Sequence, residues 1–213
     1  TSFPKRIIYA HKVVSDMAAQ KLKPSDVLLW LAEEQFPNRE NDLPPELRSC
    51  ADRGLVKIKW CARDLRPHKK YLYAMLEYPD DIVITVDDDL EYPSDLVSNL
   101  YFSYLCFPDC VSAVRTYAVA IDKVNKKVFG CEKWIKDYKK ELMLPSKQLL
   151  ATTGAGTLFP PGVLSGDALN EDLIEKLCPY ADDIWIHQML VANDVKTVCC
   201  ADNFYLRYTA PQE

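Results

Sequence analysis

The run Ile82-Val83-Ile84-Thr85-Val86 passes without a break into Asp87-Asp88-Asp89. That junction constrains the fold more than any other stretch. An uninterrupted series of apolar and β-branched residues is the pattern of a strand covered on both faces. Three carboxylates at its end repel one another and raise each other's pKa, a cost that a divalent cation removes. Hard ions such as Mg2+ or Mn2+ take one or two carboxylates and complete their shell with phosphate oxygens and water. Ligands of open α/β sheets bind beyond the carboxyl ends of the strands. The junction therefore predicts a buried strand over residues 81–86 and a metal–diphosphate site around Asp87, Asp88 and Asp89. The competing reading is a solvated acidic turn before the Pro93 helix, because carboxylates favour a helix N-terminus.

Strand and helix patterns alternate around this block. Pro4 sits where a helix can start, and Ile7, Ala10, Val14 and Met17 then recur at helical spacing up to Lys23-Pro24. Val27 to Ala32 is a short apolar run that predicts a strand. Leu43-Pro44-Pro45 opens a short helix that Gly54 stops. Val56 to Cys61 predicts a second strand and Arg66 to Tyr78 a helix. A further helix runs from Pro93 to about Phe107, followed by a strand over Val111 to Tyr117. This β-α-β-α-β order predicts an α/β fold with a mainly parallel sheet and helices on both faces. Residues 118–150 are Lys-rich, aromatic and weakly periodic, and read as an insertion or lobe within one domain spanning 1–213. Beyond them come a Gly-containing loop at Thr152 to Gly156, helices at Asn170 to Leu177 and Asp182 to Ala192, and a strand at Val195 to Ala201.

Composition narrows the function classes. With 26 Lys+Arg against 31 Asp+Glu and a net charge of −5, the chain lacks the basic excess of a general nucleic-acid binder. No apolar run approaches the roughly 20 residues of a membrane span. Lys5-Arg6 is followed by too short an apolar run for a signal peptide. The absence of an initiator Met predicts that the chain is part of a longer polypeptide. The eight cysteines show no CxxC spacing, Cys199 and Cys200 are adjacent, and the three His are scattered, so no zinc pattern emerges. Cysteines used this way read as small buried hydrophobes of a reducing, cytoplasmic protein.

Other motifs gain weight from the aspartate block. Asp182-Asp183 precedes Ile184-Trp185-Ile186-His187; one reading is an N-cap and first-turn acid, the other a general base for an attacking hydroxyl. Within Arg63 to Lys70, Lys69 and Lys70 fall near a helix start where charge and amides can meet a diphosphate, or else form an exposed basic face. Thr152-Thr153-Gly154-Ala155-Gly156 permits close approach of a ligand but lacks GxGxxG and GK[ST]. His187 reads as a packed or surface residue. Trp30, Trp60 and Trp134 read as core or pocket wall, and Trp185 as pocket-lining.

At this point the chain resembles the bacterial family-two-like glycosyltransferases of the GT-A fold. The resemblance rests on Ser2-Phe3-Pro4-Lys5-Arg6, Gln20 to Pro24, Leu28-Trp30-Leu31, and above all Ile82 to Pro93. Gly154-Ala155-Gly156 with Leu158-Phe159-Pro160-Pro161, then Ala181-Asp182-Asp183-Ile184-Trp185, follow in the family's order. It implies a Rossmann-like GT-A domain whose first strand is missing or truncated before Thr1. It also implies Mn2+- or Mg2+-dependent, inverting sugar transfer from a UDP- or GDP-sugar to a glycan or glycolipid in surface-polysaccharide synthesis. Membrane association at the inner face would come from parts outside this chain.

By position, the resemblance assigns the metal to Asp87 with Asp89 or to Asp87 with Asp88. It assigns donor contacts to Asp64, Arg66, Lys69, Lys70, Asp87 and Asp88. Acceptor contacts fall to Gly154, Ala155, Gly156 and Trp185, and catalysis to Asp182 and Asp183, with Asp183 as base. Two rivals stand beside it. One is an Mg2+-dependent phosphatase with an aspartate nucleophile, disfavoured because the aspartates follow the third strand and Glu91 stands where such enzymes carry Thr or Val. The other is a degenerate domain that binds nucleotide sugar without turning it over.

Overall fold

The computed structural model describes residues 1–125, 127–138, 143–200 and 207–210. A 3-10 turn at Ile7–Tyr9 leads into helix α1 (Ala10–Ala18). The helix starts later than Pro4 predicts, because Arg6 N and Ile7 N are both spent on a turn closing on Phe3 O. Strand β1 (Leu28–Ala32), helix α2 (Pro45–Asp52) and strand β2 (Lys57–Cys61) follow. β1 and β2 pair in parallel, Leu28 opposite Lys57 and Ala32 opposite Cys61. The helix expected over Arg66 to Tyr78 divides into a 3-10 turn, Arg66–Lys70, and helix α3 (Leu72–Glu77). Arg66 sits at φ +52°, a left-handed conformation that costs a non-glycine residue and separates this turn from the chain before it.

Strand β3 (Val83–Thr85) is followed by helix α4 (Leu96–Cys106) and strand β4 (Val111–Ala113). The strand expected over Val111 to Tyr117 breaks at Val114-Arg115, and its second half is β5 (Thr116–Ala118) in another sheet. The region read as a lobe holds a small hairpin of β6 (Ile121–Asp122) and β7 (Lys127–Val128). The chain returns through β8 (Leu149–Ala151), antiparallel to β5. Then come β9 (Thr157–Phe159), helices α5 (Glu171–Leu177) and α6 (Asp182–Ala192), and β10 (Thr197–Cys199). Asn170 caps α5 by accepting from Asp172 N and Leu173 N. Ala201, the predicted end of the last strand, lies outside the described residues.

The class is mixed α/β, but the sheets are small and the main one is not parallel throughout. Its order is β10-β4-β9-β3, with β10 parallel to β4 and β9 antiparallel to both neighbours. The difference arises at Thr157-Leu158-Phe159, which follows a loop with turn character yet is buried throughout. A three-residue strand is too short to show a period, and only its pairing with β3 and β4 defines it. β1 and β2 form their own two-stranded sheet. Thr1 Oγ1 donates to Trp30 O at 2.6 Å and Ser2 Oγ donates to Asp88. The N-terminal residues thus link the middle of β1 to the loop that follows β3.

Helix α1 ties the two sheets together. Its buried residues Ala10, Val13, Val14 and Met17 recur at i, i+3, i+4 and i+7, one broad apolar stripe. Ala10 and Val14 pack with Leu29 and Leu31 of β1 and Leu47 of α2. Val13 and Met17 pack with Leu158 of β9, Leu96 and Leu100 of α4, and Ile84 of β3. A third cluster joins Tyr71, Leu72, Phe159, Ile174, Trp185 and Leu190.

Leu158 is fully buried between β3 and β4, so Leu158→Ala is expected to cost about 2–5 kcal/mol of stability. The measurement is the urea midpoint; a loss under about 1 kcal/mol would place the centre of the core elsewhere.

Candidate functional site

The carboxyl ends of β1, β2 and β3, the N-terminus of α6 and the 152–156 loop surround a cavity of about 670 Å3. That volume is in the range of small-molecule sites. Six aspartates reach it, Asp64, Asp87, Asp88, Asp89, Asp182 and Asp183, together with Arg6, Arg66, Lys69, Lys70 and Arg115. The acidity read in the sequence is therefore interleaved with almost as much positive charge.

Lys70 occupies the middle. Its side chain is 6% exposed, and Nζ lies 2.7 Å from Asp87 Oδ1 and 3.0 Å from Asp182 Oδ2. Burial pulls the ammonium's pKa down, but Asp87, Asp182 and Asp183 outweigh it and hold the group well above its ordinary value. Lys69 is buried as well and pairs with Asp64. The basic run is thus not an exposed face: successive lysines serve successive carboxylates on the cavity wall.

The loop after β3 is held from behind. Tyr92 Oη donates to Gly154 O and accepts from Asp87 N at 2.8 Å, while Asp87 N also reaches Gly154 O at 3.1 Å. A Cβ on Gly154 would stand 1.7 Å from Asp87 Oδ2, so only glycine permits this approach. Arg6 reaches the other two aspartates, with Nη2 2.5 Å from Asp88 Oδ1 and 2.7 Å from Asp89 Oδ2. Asp88 also accepts from Ser2 Oγ. Helix α4 begins only at Leu96 and its N-cap Asp95 makes no side-chain cap bond. The three carboxylates therefore face cations across the cavity rather than cap that helix.

The second acidic pair is likewise not a cap. Asp182 and Asp183 form the first turn of α6, whose N-cap residue Ala181 has no side-chain cap bond. Their partner is Thr153, with its hydroxyl 2.8 Å from Asp182 Oδ2 and 2.6 Å from Asp183 Oδ1, donating to one at a time. Thr153 N donates to Asp183 Oδ1 at 2.9 Å, and Thr153 O accepts from Thr85 Oγ1 of β3 at 2.9 Å. The two carboxyls diverge in acidity. Burial raises both, but Lys70 reverses the effect at Asp182 and brings it below the usual value. Asp183, pushed by burial and by the charge of Asp182, rises to about 6.

Asp64 accepts from Gln35 Nε2 at 2.7 Å and from Arg66 N at 3.0 Å, so it is aimed from the end of β2 into the cavity. The Arg66 guanidinium lies 4.3 Å above the Tyr180 ring at the rim. Ala155 also lines the wall. Two of the expected acceptor residues do not. Trp185 is buried in the core, where its indole N–H donates to Ala168 O at 3.0 Å. On a helix, the residue two positions beyond Asp183 points away from it. Gly156, at φ +117°, turns the chain against Leu96. His187 is buried on α6, its pKa lowered by burial, and does not line the cavity.

The sequence reading missed Arg6, Gln35, Arg115, Tyr117, Tyr180 and Tyr208, all on the cavity wall. Arg115 lies at the break between β4 and β5, 5.1 Å above the Tyr117 ring and 2.5 Å from Asp137. Tyr208 arrives with a short C-terminal segment, in which Thr209 N donates to Asp89 O at 2.7 Å. The one local signal was Arg6, inside the Ser2-Phe3-Pro4-Lys5-Arg6 motif; its partners lie more than 80 residues away.

A hard divalent cation fits this donor set. Among the described residues no group of three or more His, Cys, Asp and Glu side chains converges as a cation cage. Hard oxygen donors are present in the carboxylates of the Asp87 to Asp89 block, of which Mg2+ and Mn2+ take one or two and complete their shell with phosphate and water. The Arg6 guanidinium already stands as a cation between Asp88 and Asp89. Asp87 is engaged by Lys70, so each carboxylate of the block has a cationic partner.

Among the described residues no helix is long and apolar enough to cross a membrane. Comparison with protein-family models returns no match, and comparison with curated proteins returns none either.

The raised Asp183 carboxyl carries a stability signature. Its folded pKa of about 6 exceeds the ordinary value of 3.8, so the folded state holds an extra proton between those values, and that stabilisation is lost as pH rises through 6. Asp183→Asn keeps an acceptor for Thr153 without the charge. It is expected to melt above the parent protein at pH 7.5, with the gap closing as pH falls toward 4. A thermal midpoint lower than the parent's at pH 7.5 would contradict this environment.

Proposed function

We propose that this chain is a metal-dependent glycosyltransferase domain of the GT-A type, moving a sugar from a nucleoside-diphosphate donor to a hydroxyl acceptor. The observation that carries the reading is the division of labour on one cavity wall. Asp182 is kept ionised by Lys70, while Asp183 beside it has a pKa near 6 and a carboxylate held in place by Thr153. A pair of titratable groups driven apart by their surroundings supplies an acid–base assignment. The other wall, with Asp87 to Asp89, Arg6 and Lys70, has the charges that recognise a diphosphate through a cation.

In this mechanism the acceptor hydroxyl attacks the anomeric carbon. Its proton passes to Asp183 as the new C–O bond forms, and the bond to the diphosphate breaks with its electrons on the leaving group, inverting the centre. Lys70 and Arg6 place positive charge where the departing diphosphate becomes more negative. A bound Mn2+ or Mg2+, held by carboxylates of the Asp87 to Asp89 block, would supply further Lewis-acid stabilisation of that leaving group. Asp64 and Gln35, on the cavity wall, offer hydrogen-bonding groups to a donor's base, for which UDP- and GDP-sugars are the candidates. Tyr180, Tyr117 and Arg115 offer ring faces and a charge to a glycan or glycolipid acceptor.

The test is nucleoside-diphosphate release from a panel of UDP- and GDP-sugars with Mn2+ and short glycan acceptors. Turnover is expected to vanish with EDTA and to decline below pH 6 as Asp183 takes up its proton. Asp183→Asn should lose about 10²–10⁴-fold in rate with donor affinity retained. Full activity after EDTA, or in Asp183→Asn, would overturn the mechanism. Donor binding with no turnover in the parent protein would establish the degenerate binding domain instead.

A further inference from the structure

One guanidinium is shared by two carboxylates that are themselves buried. Asp88 and Asp89 are 8% and 5% exposed, and Arg6 spans them at 2.5 and 2.7 Å. A single guanidinium thus bridges two neighbouring carboxylates. The arrangement also leaves a donor unused: Arg6 Nε is buried and has no hydrogen-bond partner among the described residues. Phe3 covers the guanidinium from one side, with its ring centroid at 5.6 Å. Arg6 lies on the cavity wall beside Asp87 and Ala155. A buried N–H of a charged group with no acceptor is costly, and it marks where an acceptor is missing.

From this geometry we infer that Arg6 is a displaceable counter-ion that makes metal binding at Asp88 and Asp89 conditional on a diphosphate. The inference rests on the metal-dependent transferase reading above. A divalent ion entering alone must either expel Arg6 or sit against its positive charge. When a diphosphate enters with the ion, the guanidinium gains a new anion, and its bidentate edge and unused Nε–H match phosphate oxygens. Metal and diphosphate therefore help each other's binding by more than the metal–phosphate bond itself provides. Such couplings typically amount to about 5–150-fold in affinity. Arg6 acts here as a positioning and binding residue, not as the group that moves a proton.

The experiment titrates Mn2+ into the full chain, following free Mn2+ by electron paramagnetic resonance, alone and with UDP or GDP. The parent protein is expected to bind Mn2+ weakly alone and about tenfold or more tightly with the nucleotide, within the coupling range above. Arg6→Gln is expected to bind Mn2+ more tightly than the parent when no nucleotide is present, and to bind UDP or GDP more weakly. Arg6→Lys, which keeps the charge but not the fork, should fall between them, and it serves if Arg6→Gln does not fold. A purely structural Arg6 would lower the thermal midpoint without tightening Mn2+ binding, and that result would overturn the inference. So would unchanged coupling in both variants while Mn2+ still binds. If neither parent nor variants bind Mn2+ with or without nucleotide, the metal-dependent reading fails and the inference with it.

Discussion

A buried ammonium holds the candidate site together. Lys70 has almost no access to water, and a lone charge in that position would be strongly disfavoured. It is tolerated because Asp87 and Asp182 meet it from opposite sides, one from the loop after β3 and one from the start of α6. Buried ion pairs contribute little net stability when complete, but removing one partner strands the others. The arrangement therefore acts as a registry device, fixing the aspartate loop relative to α6. Lys70 keeps Asp182 ionised, and Asp183, buried beside that charge, is the carboxyl whose pKa rises.

The apolar framework supports this geometry without supplying its chemistry. Helix α1 joins two sheets that do not hydrogen-bond to each other, with Ala10 and Val14 serving one and Val13 and Met17 the other. Tyr92 joins the aspartate loop to Gly154, and the missing side chain at Gly154 lets Asp87 approach its backbone. Thr153 then connects β3 to both carboxylates of α6. Strand end, glycine loop and helix start form one hydrogen-bonded unit, so a shift in any of them moves the others.

Charge balance is the other consequence. Five of the six aspartates on the cavity wall have Arg6, Lys69 or Lys70 within ion-pair distance, and Asp183 is held by Thr153. A site of this kind need not be electrostatically unstable before its ligand arrives. In the proposed mechanism such a site would rearrange its ion pairs on binding rather than create them, with Arg6 at the point of exchange.

Residue order alone determined the strands and helices with strong patterns. Asp182–Ala192 carried both its acidic start and its apolar content, and Val27–Ala32 its buried run, because local spacing specifies such elements. The two acidic blocks were legible too: consecutive carboxylates at a strand end or helix start need a reason that composition cannot supply. Other features depended on tertiary structure. The antiparallel insertion of Thr157–Phe159 has too few residues to show a period. The choice of Asp88 with Asp89 as the bridged pair depends on Arg6 arriving from more than 80 residues away in the chain. Trp185 follows the acidic pair in sequence but faces the core, since helical geometry turns it away. Which carboxyl is kept ionised and which has a raised pKa follows from where one lysine lies in space, and residue order does not encode that position.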